Sequence, residues 1–122
     1  MLLSKILNYM TLEELYKTIE NRKKTMPRRS YSASLFRAGC DRIVQKIGEE
    51  AIEVIISAKN KSRKRLISET ADLLYHVLIL LSFKEIKADD VLQELERRRF
   101  STPLGSSIKQ KTEKSLSAAD RP

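Results

Sequence analysis

The chain has 122 residues, a length that allows one domain with a modest hydrophobic core and argues against a second domain. Its 24 lysines and arginines against 16 acids give a formal net charge of +8. This charge favours anionic partners such as nucleic acid, an acidic membrane surface or a polyphosphate, without choosing among them. The one cysteine, Cys40, excludes an internal disulfide, and no second Cys or nearby His completes a zinc site, so a reducing compartment such as the cytoplasm fits.

The apolar segments predict neither a secretion signal nor a membrane span. Residues 1–10, which we interpret as a lead-in, are interrupted by Lys5 and lack the apolar core and cleavage site of a signal peptide. The longest apolar run, residues 71–83, contains Asp72 and His76 and is shorter than the ~20 residues that cross a bilayer. We therefore expect a soluble protein without a membrane partner.

Gly and Pro are scarce, and no segment alternates apolar and polar residues, so we expect an all-α domain over residues 11–99. The expected architecture is an antiparallel bundle of four to five helices. The first helix begins at Thr11, which forms a capping-box pattern with Glu14. Its apolar stripe consists of Leu12, Leu15, Tyr16 and Ile19. A short helix is predicted within residues 30–39, where Gly39 ends it.

Two longer helices are predicted next. One runs from about Cys40 to Lys59, and the other from about Arg63 to Phe83 with Ser62 as its N-cap. After Ala71 the second of these is apolar nearly all round, and such a helix has to be covered on several sides. Because few companion helices are available in so short a chain, we expect a homodimer.

The last predicted helix spans about Ala88 to Arg99. It has Asp89 and Asp90 in its first turn and arginines in its last, an order that complements the helix dipole. Residues 100–122 have no periodic apolar pattern and predict a mobile basic tail.

Two acidic pairs carry the strongest chemical signal. Glu50 and Glu53 on the first long helix, and Glu69 and Asp72 on the second, are each three residues apart, so each pair shares one helix face. A short turn at residues 60–61 predicts antiparallel packing of the two helices, and both pairs lie equally far from it. We therefore expect the four carboxylates to meet at one level.

Four acids in one place require a compensating charge. Two like charges ~4 Å apart repel by about 4 kcal/mol at an effective dielectric near 20, and a cation would offset this repulsion. All-oxygen ligation, without Cys and without an obligatory His, favours Mg²⁺, with Mn²⁺ as a second choice, over zinc or copper.

The alternative is that these acids are ordinary surface residues with local salt bridges. Lys46 is spaced to pair with Glu50, and Arg65 to pair with Glu69. The other two acids have no Lys or Arg three or four positions away. Spacing alone leaves both interpretations open.

The double pair resembles the E-x-x-E, spacer, E-x-x-D signature of the all-α nucleotide pyrophosphohydrolases related to the MazG protein. Neighbouring residues narrow this resemblance to one family of that superfamily, the phosphoribosyl-ATP pyrophosphohydrolases, over about Thr11 to Arg99. The segments that carry it are Ser30-Tyr31-Ser32, Gly39, Asp41-Arg42-Ile43, Gln45-Lys46-Ile47-Gly48-Glu49-Glu50-Ala51 and Ala71-Asp72-Leu73-Leu74-Tyr75-His76.

The resemblance implies hydrolysis of phosphoribosyl-ATP to phosphoribosyl-AMP and pyrophosphate, the second step of histidine biosynthesis. The metal ligands that it implies are Glu50, Glu53, Glu69 and Asp72. It also implies that Glu49 is a further acid near the site, acting as a base or a water-positioning group, and that Tyr31 and Ser32 bind substrate.

Two more residues flank the acids. Lys46 lies one helical turn before Glu50, where its ammonium would balance charge that develops on a phosphate. The alternative for Lys46 is a surface salt bridge to Glu49 or Glu50. His76 lies on the face of Asp72, and we interpret it as a hydrogen-bonded core residue rather than a catalyst.

Two competing functions remain. A house-cleaning nucleoside triphosphate pyrophosphohydrolase of the same superfamily would use the same metal site, but the segments around Tyr31 and Lys46 argue against it. A non-catalytic nucleic-acid-binding protein would use the basic clusters. The sequence contains no zinc finger, helix-turn-helix or aromatic stacking platform. We therefore expect a small-molecule substrate and no nucleic-acid partner.

Overall fold

The structure is a computed structural model that describes residues 9–101. Within this range it contains five α-helices and no strand, which confirms the predicted all-α class. The helices are α1 (Leu12–Thr25), α2 (Tyr31–Ala38), α3 (Cys40–Lys59), α4 (Arg63–Phe83) and α5 (Ala88–Ser101). The predicted tail lies outside the described residues from residue 102 onward, and so does the lead-in up to residue 8.

The helix ends follow from local capping chemistry. The Glu14 backbone N–H donates to the Thr11 hydroxyl at 3.1 Å, and the Thr11 N–H donates to the Glu14 carboxylate at 3.0 Å, which is the predicted capping box. Ser62 caps α4 by accepting a hydrogen bond from the Arg65 N–H at 3.3 Å. Gly39 separates α2 from α3 with φ of 99°, a backbone conformation that residues with a Cβ rarely adopt. These signals set the predicted bounds of α3 and α4.

The α3–α4 hairpin is the centre of the fold, and α1 and α2 pack against it. A short link at residues 60–62 makes the two long helices antiparallel. The core lies at the end of the hairpin away from this link. Its buried members are Tyr16, Ile19, Leu35, Phe36, Ile43, Leu78, Ile79 and Ala88. The Tyr16 hydroxyl also donates to the Ile86 carbonyl at 2.7 Å and so ties α1 to the chain that follows α4.

Exposed apolar surface lies on both helices of the hairpin. The sequence predicts that part of the apolar run 73–81 of α4 stays uncovered, and within this run Leu74 is largely exposed whereas Leu78 and Ile79 are buried. Most of the large exposed apolar residues of the hairpin lie nearer to its link than Val44, which is 44% exposed near the start of α3. They are Ile52, Ile55, Ile56, Ile67 and Leu74, with exposed fractions of 57%, 56%, 41%, 59% and 51%.

Contacts divide the chain into two units, residues 1–88 and residues 89–122. In the described part of the second unit, α5 continues past its predicted end at Arg99 to Ser101. Glu94 pairs with Arg97 and Arg98, and these guanidinium groups lower the pKa of Glu94 to about 2. The helix is therefore stabilised locally by ion pairs one turn apart.

By length and composition alone, α4 is long and apolar enough to cross a membrane. The core helix of a soluble protein meets the same criterion, and α4 packs against α1, α2 and α3. The expected absence of a membrane partner therefore remains a prediction.

Candidate metal and substrate site

Three of the four predicted carboxylates meet between α3 and α4. One oxygen each of Glu50, Glu69 and Asp72 lies within 4.8 Å of the other two. The antiparallel hairpin brings them together because the acids lie at matching distances from its link. Oxygen ligands of an octahedral Mg²⁺ ion are about 2.9 Å apart when adjacent and about 4.1 Å apart when opposite, so these side chains would have to move closer together to bind a hard cation. The donor set contains only oxygen, as Mg²⁺ prefers.

The surroundings of Glu69 raise the pKa of its carboxyl. Partial burial is the main cause, and a hydrogen bond with Glu50 and the charges of Glu50, Glu53 and Asp72 raise it further. A bound cation would oppose the part of this shift that the neighbouring acids cause. The three acids therefore fit a cation site in which the ligands repel each other when no cation is bound.

The fourth predicted ligand, Glu53, is engaged by Arg65. The Arg65 guanidinium lies 3.3 Å from Glu53 Oε1 and 3.6 Å from Glu69 Oε2, so it links the two helices beside the carboxylate group. Spacing in the sequence predicts only the pair of Arg65 with Glu69, because Glu53 lies twelve positions from Arg65. The side chain of Arg65 reaches Glu53 only because the hairpin brings the helices together.

Asp72 differs from the other three acids. Within residues 9–101, no Lys or Arg forms an ion pair with its carboxylate, and the side chain is exposed. Its charge is therefore balanced by no neighbouring protein cation, as its spacing in the sequence suggested.

Lys46 lies next to the carboxylates and bonds to two acids of its own helix. Its Nζ is 3.2 Å from Glu49 Oε1 and 3.3 Å from Glu50 Oε2, and its side chain is only 18% exposed. Hydrogen bonding to Glu49 is the main cause that raises the pKa of Lys46. The predicted salt bridges are present, but they hold an ammonium that is largely enclosed rather than a free surface chain.

Glu49 is not one of the three carboxylates that meet, and it bonds to Lys46. Its second oxygen, Oε2, accepts a hydrogen bond from Gln45 at 3.0 Å. Bonds from Lys46 and then Gln45 lower the pKa of Glu49. Both effects make Glu49 a weak base in this conformation, and its predicted role as a base or water-positioning group stays a prediction.

Tyr31 and His76 approach the carboxylates from α2 and α4. The Tyr31 hydroxyl is 2.7 Å from His76 Nε2, and His76 Nδ1 is 2.6 Å from the backbone oxygen of Asp72. His76 is buried, which confirms the interpretation of this residue as a hydrogen-bonded core histidine. Burial is the main cause that raises the pKa of Tyr31, with contributions of both signs from neighbouring charges such as Lys46 and Glu50.

Ser32 occupies a different environment from Tyr31. It is fully buried, and its hydroxyl lies 3.1 Å from that of Ser30, the N-cap of α2. This contact organises the start of α2. The substrate-binding role that the resemblance implied for Ser32 stays a prediction.

Comparison with known proteins identifies the family of the chain. Residues 12–99 match the family described as phosphoribosyl-ATP pyrophosphohydrolase. The chain is 52% identical over 91 residues to the phosphoribosyl-ATP pyrophosphatase of Trichlorobacter lovleyi, a match that covers 75% of this chain and 84% of that protein. It is 50% identical to the phosphoribosyl-ATP pyrophosphatase of Geobacter sulfurreducens, with 75% and 83% covered.

A third relative is a two-function protein. The histidine biosynthesis bifunctional protein HisIE of Bacteroides thetaiotaomicron is 45% identical over 93 residues, which cover 76% of this chain and 46% of that protein. The family match includes α1 to α4 and all the carboxylates described above. The chain therefore belongs to the phosphoribosyl-ATP pyrophosphohydrolase family.

Proposed function

We propose that this chain hydrolyses phosphoribosyl-ATP to phosphoribosyl-AMP and pyrophosphate, the second step of histidine biosynthesis, with Mg²⁺ held by carboxylates of α3 and α4. The observation that carries the proposal is the group formed by Glu50, Glu69 and Asp72, whose oxygens lie within 4.8 Å of one another in a member of this family. Mn²⁺, which accepts the same oxygen ligands, would serve as an alternative cation.

The chemistry that the cation supplies is general for phosphoanhydride hydrolysis. When bound, Mg²⁺ neutralises phosphate charge, orients the polyphosphate and lowers the pKa of the attacking water. Glu50, Glu69 and Asp72 would hold it. Glu53 would join them as the fourth ligand if its ion pair with Arg65 opened, because Glu53 lies one helical turn from Glu50 on the same face of α3.

Lys46 supplies the positive charge that acts directly on the substrate. Its enclosed ammonium lies against Glu50 and is held by Glu49, so it is oriented before substrate arrives. A fixed ammonium stabilises negative charge that develops on a phosphate oxygen without first having to be ordered. We therefore assign Lys46 the role of balancing phosphate charge, and Glu49 the role of positioning Lys46.

Tyr31 is the residue of α2 that we propose to contact substrate. It is 49% exposed, and its ring is fixed by the buried His76. Ser30 and Ser32 hold the start of α2 in place below it. The predicted contact of Ser32 with substrate would be indirect in this arrangement.

We further infer a homodimer. Ile52, Ile55 and Ile67 are each more than half exposed on the hairpin. Full burial of one such side chain contributes about 1.5–3 kcal/mol, so covering this surface with a second copy would stabilise the protein substantially. The partners of the chain would then be its small-molecule substrate and a second copy of itself, in the cytoplasm, without nucleic acid or membrane.

One assay tests the function. Pyrophosphate release is measured from phosphoribosyl-ATP, ATP and dCTP, each with Mg²⁺ and with EDTA. We expect release from phosphoribosyl-ATP only, and only with Mg²⁺. Release from ATP or dCTP at a similar kcat/KM would indicate a house-cleaning enzyme of the same superfamily. Release from phosphoribosyl-ATP that persists in EDTA would contradict the metal assignment alone.

A further inference from the structure

The Tyr31 phenol and the His76 imidazole form a pair that joins α2 to α4 beside the carboxylates. The hydroxyl is 2.7 Å from Nε2, and the two rings meet edge to face with centroids 5.5 Å apart. His76 is 4% exposed, whereas Tyr31 is 49% exposed. One end of the pair is therefore fixed inside the unit, and the other end faces solvent.

The second contact of the imidazole determines where the protons lie. His76 Nδ1 is 2.6 Å from the backbone oxygen of Asp72, and a carbonyl oxygen only accepts hydrogen bonds. The proton of the ring is therefore on Nδ1. A neutral imidazole has a single N–H, so Nε2 is an acceptor and the Tyr31 hydroxyl donates its proton to it.

Because the Tyr31 hydroxyl donates its proton to His76, the Tyr31 oxygen can only accept further hydrogen bonds. Its single proton is directed at His76, so only the lone pairs of its oxygen remain for a contact with substrate. Phosphate oxygens are also acceptors and carry negative charge, so they would repel this oxygen rather than bind it. A sugar hydroxyl has a proton to donate.

We propose that His76 is a positioning residue that makes Tyr31 a hydrogen-bond acceptor, so that Tyr31 binds a ribose hydroxyl of the substrate and not a phosphate. This inference rests on the proposed function, in which Tyr31 contacts substrate. It assigns His76 a role in recognition that is exerted through Tyr31. It also divides the site into two parts. The phosphates lie at Lys46 and the carboxylates, and a ribose lies at Tyr31.

The protonation of His76 can be measured directly because it is the one histidine of the chain. Two-bond ¹⁵N–¹H NMR spectra at pH 7.5 should show the tautomer with the proton on Nδ1. Tyr31→Phe should shift the Nε2 resonance and leave Nδ1 nearly unchanged. Tyr75→Phe is a matched control, because the Tyr75 ring also lies edge-on to His76, at 6.1 Å, but no hydrogen bond joins it to the imidazole. A proton on Nε2, or a doubly protonated ring, would overturn the proposal.

Steady-state kinetics test the consequence for substrate. Tyr31→Phe should lower kcat/KM by roughly threefold to tenfold, mostly through KM, since one hydrogen bond to an uncharged group is lost. His76→Leu should cause a similar loss, whereas His76→Gln, whose amide oxygen can accept from Tyr31, should retain most of the affinity. In the Tyr31→Phe background, His76→Leu should cause little further loss.

The outcomes separate this inference from the proposed function. If the wild type releases pyrophosphate with Mg²⁺ but Tyr31→Phe leaves KM unchanged, the role of Tyr31 is refuted and the proposed function stands. Additive losses in the double variant would show that His76 does not act through Tyr31. If His76→Leu does not fold, the tautomer and the Tyr31→Phe kinetics still decide the question. A wild type without activity would remove the proposed function and the substrate contact together.

Discussion

The two ends of the α3–α4 hairpin differ in how they are covered. Away from the link, Ile43, Leu78 and Ile79 are buried under α1 and α2. Towards the link, Ile55 and Ile67 are more than half exposed, although they belong to the same two helices. Amphipathic helices thus form a buried core only where other helices pack against them.

The carboxylates lie between these two ends along the chain. Their helices are anchored by the covered end, so the positions of the acids are fixed by packing, while solvent and substrate can reach them. Complete burial of the acids would cost several kcal/mol per charge. A scaffold without the covered end would not hold the repelling carboxylates close together. The comparison therefore explains why the site lies at the border of the core rather than inside it.

The largest effect is expected from Asp72→Asn, which keeps the volume of an acid that no described basic residue neutralises. Loss of a cation ligand should lower kcat/KM by about a hundredfold or more. The metal-free protein should be as stable as the wild type or more stable, because repulsion among the acids is relieved. Turnover and metal-free melting temperature are measured on the same preparations.

Asp89→Asn serves as the control for Asp72→Asn. Asp89 is an exposed acid in the first turn of α5, outside the carboxylate group, so activity should be kept. An Asp72→Asn protein that is active but less stable would mean that Asp72 is a structural acid, and the catalytic assignment would fail.

Two matched Ile→Ala substitutions test the difference between the two ends of the hairpin. Ile43→Ala should cost about 2–5 kcal/mol, or roughly 10 °C or more in melting temperature, at any protein concentration, because it leaves a cavity in the covered end. Ile55→Ala should cost less than about 0.5 kcal/mol in the monomer. It should reduce stability further only at concentrations where a dimer forms, because a dimer links stability to concentration.

Sedimentation decides whether the exposed end is an interface. We expect a dimer at micromolar concentration for the wild type and a monomer for Ile55→Glu, which would bury a charge without a partner. Lys17→Glu on the exposed face of α1 changes charge without touching the apolar surface and should stay dimeric. A wild-type monomer would refute the dimer and leave the metal site unaffected.

A smaller effect is expected from Arg65→Gln. Arg65 occupies Glu53 and Glu69, two of the proposed ligands, so cation binding has to displace it. Two exposed ion pairs at about 0.5 kcal/mol each correspond to roughly fivefold tighter binding of Mn²⁺ to the variant. Isothermal titration or Mn²⁺ spectroscopy measures this without substrate.

Arg63→Gln is the matched control for Arg65→Gln. It removes the same charge from the same turn of α4, but Arg63 makes no ion pair with these acids. Any change in Mn²⁺ affinity that Arg63→Gln produces measures the long-range effect of removing one positive charge. Equal effects of the two variants would show that Arg65 does not compete with the cation.

Helix bounds and helix contacts were not equally predictable from sequence. Local signals determine where α3 and α4 begin and end, because Gly39 and Ser62 act within one turn of the chain. Matching distances from the link predicted that carboxylates of both helices meet, and for Glu50, Glu69 and Asp72 they do.

The remaining features depend on which side chain reaches across to another helix. Arg65 pairs with Glu53 of the facing helix, which lies twelve positions away in the sequence. Which part of the apolar run in α4 stays exposed is not predictable from sequence for the same reason. Residues 73–81 are apolar all round, and only the packing of α1 and α2 determines that Leu78 is covered and Leu74 is not.

The smallest expected effect is a pH dependence with opposite signs in the two units. In the metal-free protein the pKa of Glu69 is raised above its ordinary value of 4.5 by burial, by the bond with Glu50 and by the neighbouring acids. The folded state then binds more protons than the unfolded state, so stability falls as pH rises through the interval above about 4.5. For Glu94, bonds from Arg97 and Arg98 lower the pKa to about 2. Its contribution is present above pH 4.5 and is lost as pH falls towards about 2.

Melting temperatures measured in EDTA across pH 2 to 8 test both signs. Glu69→Gln should reduce the fall in stability as pH rises above about 4.5, because the carboxyl whose pKa is raised is no longer there to titrate. Glu94→Gln should instead weaken the loss of stability on the acidic side and leave the neutral branch unchanged in slope. Adding Mg²⁺ at neutral pH should restore stability in the wild type more than in Glu69→Gln, since a cation stabilises the deprotonated acids only where the ligands are complete. A Glu69→Gln profile that parallels the wild type throughout would show that repulsion at the carboxylate group does not contribute to stability, and the cation would then have no unfavourable charge to relieve.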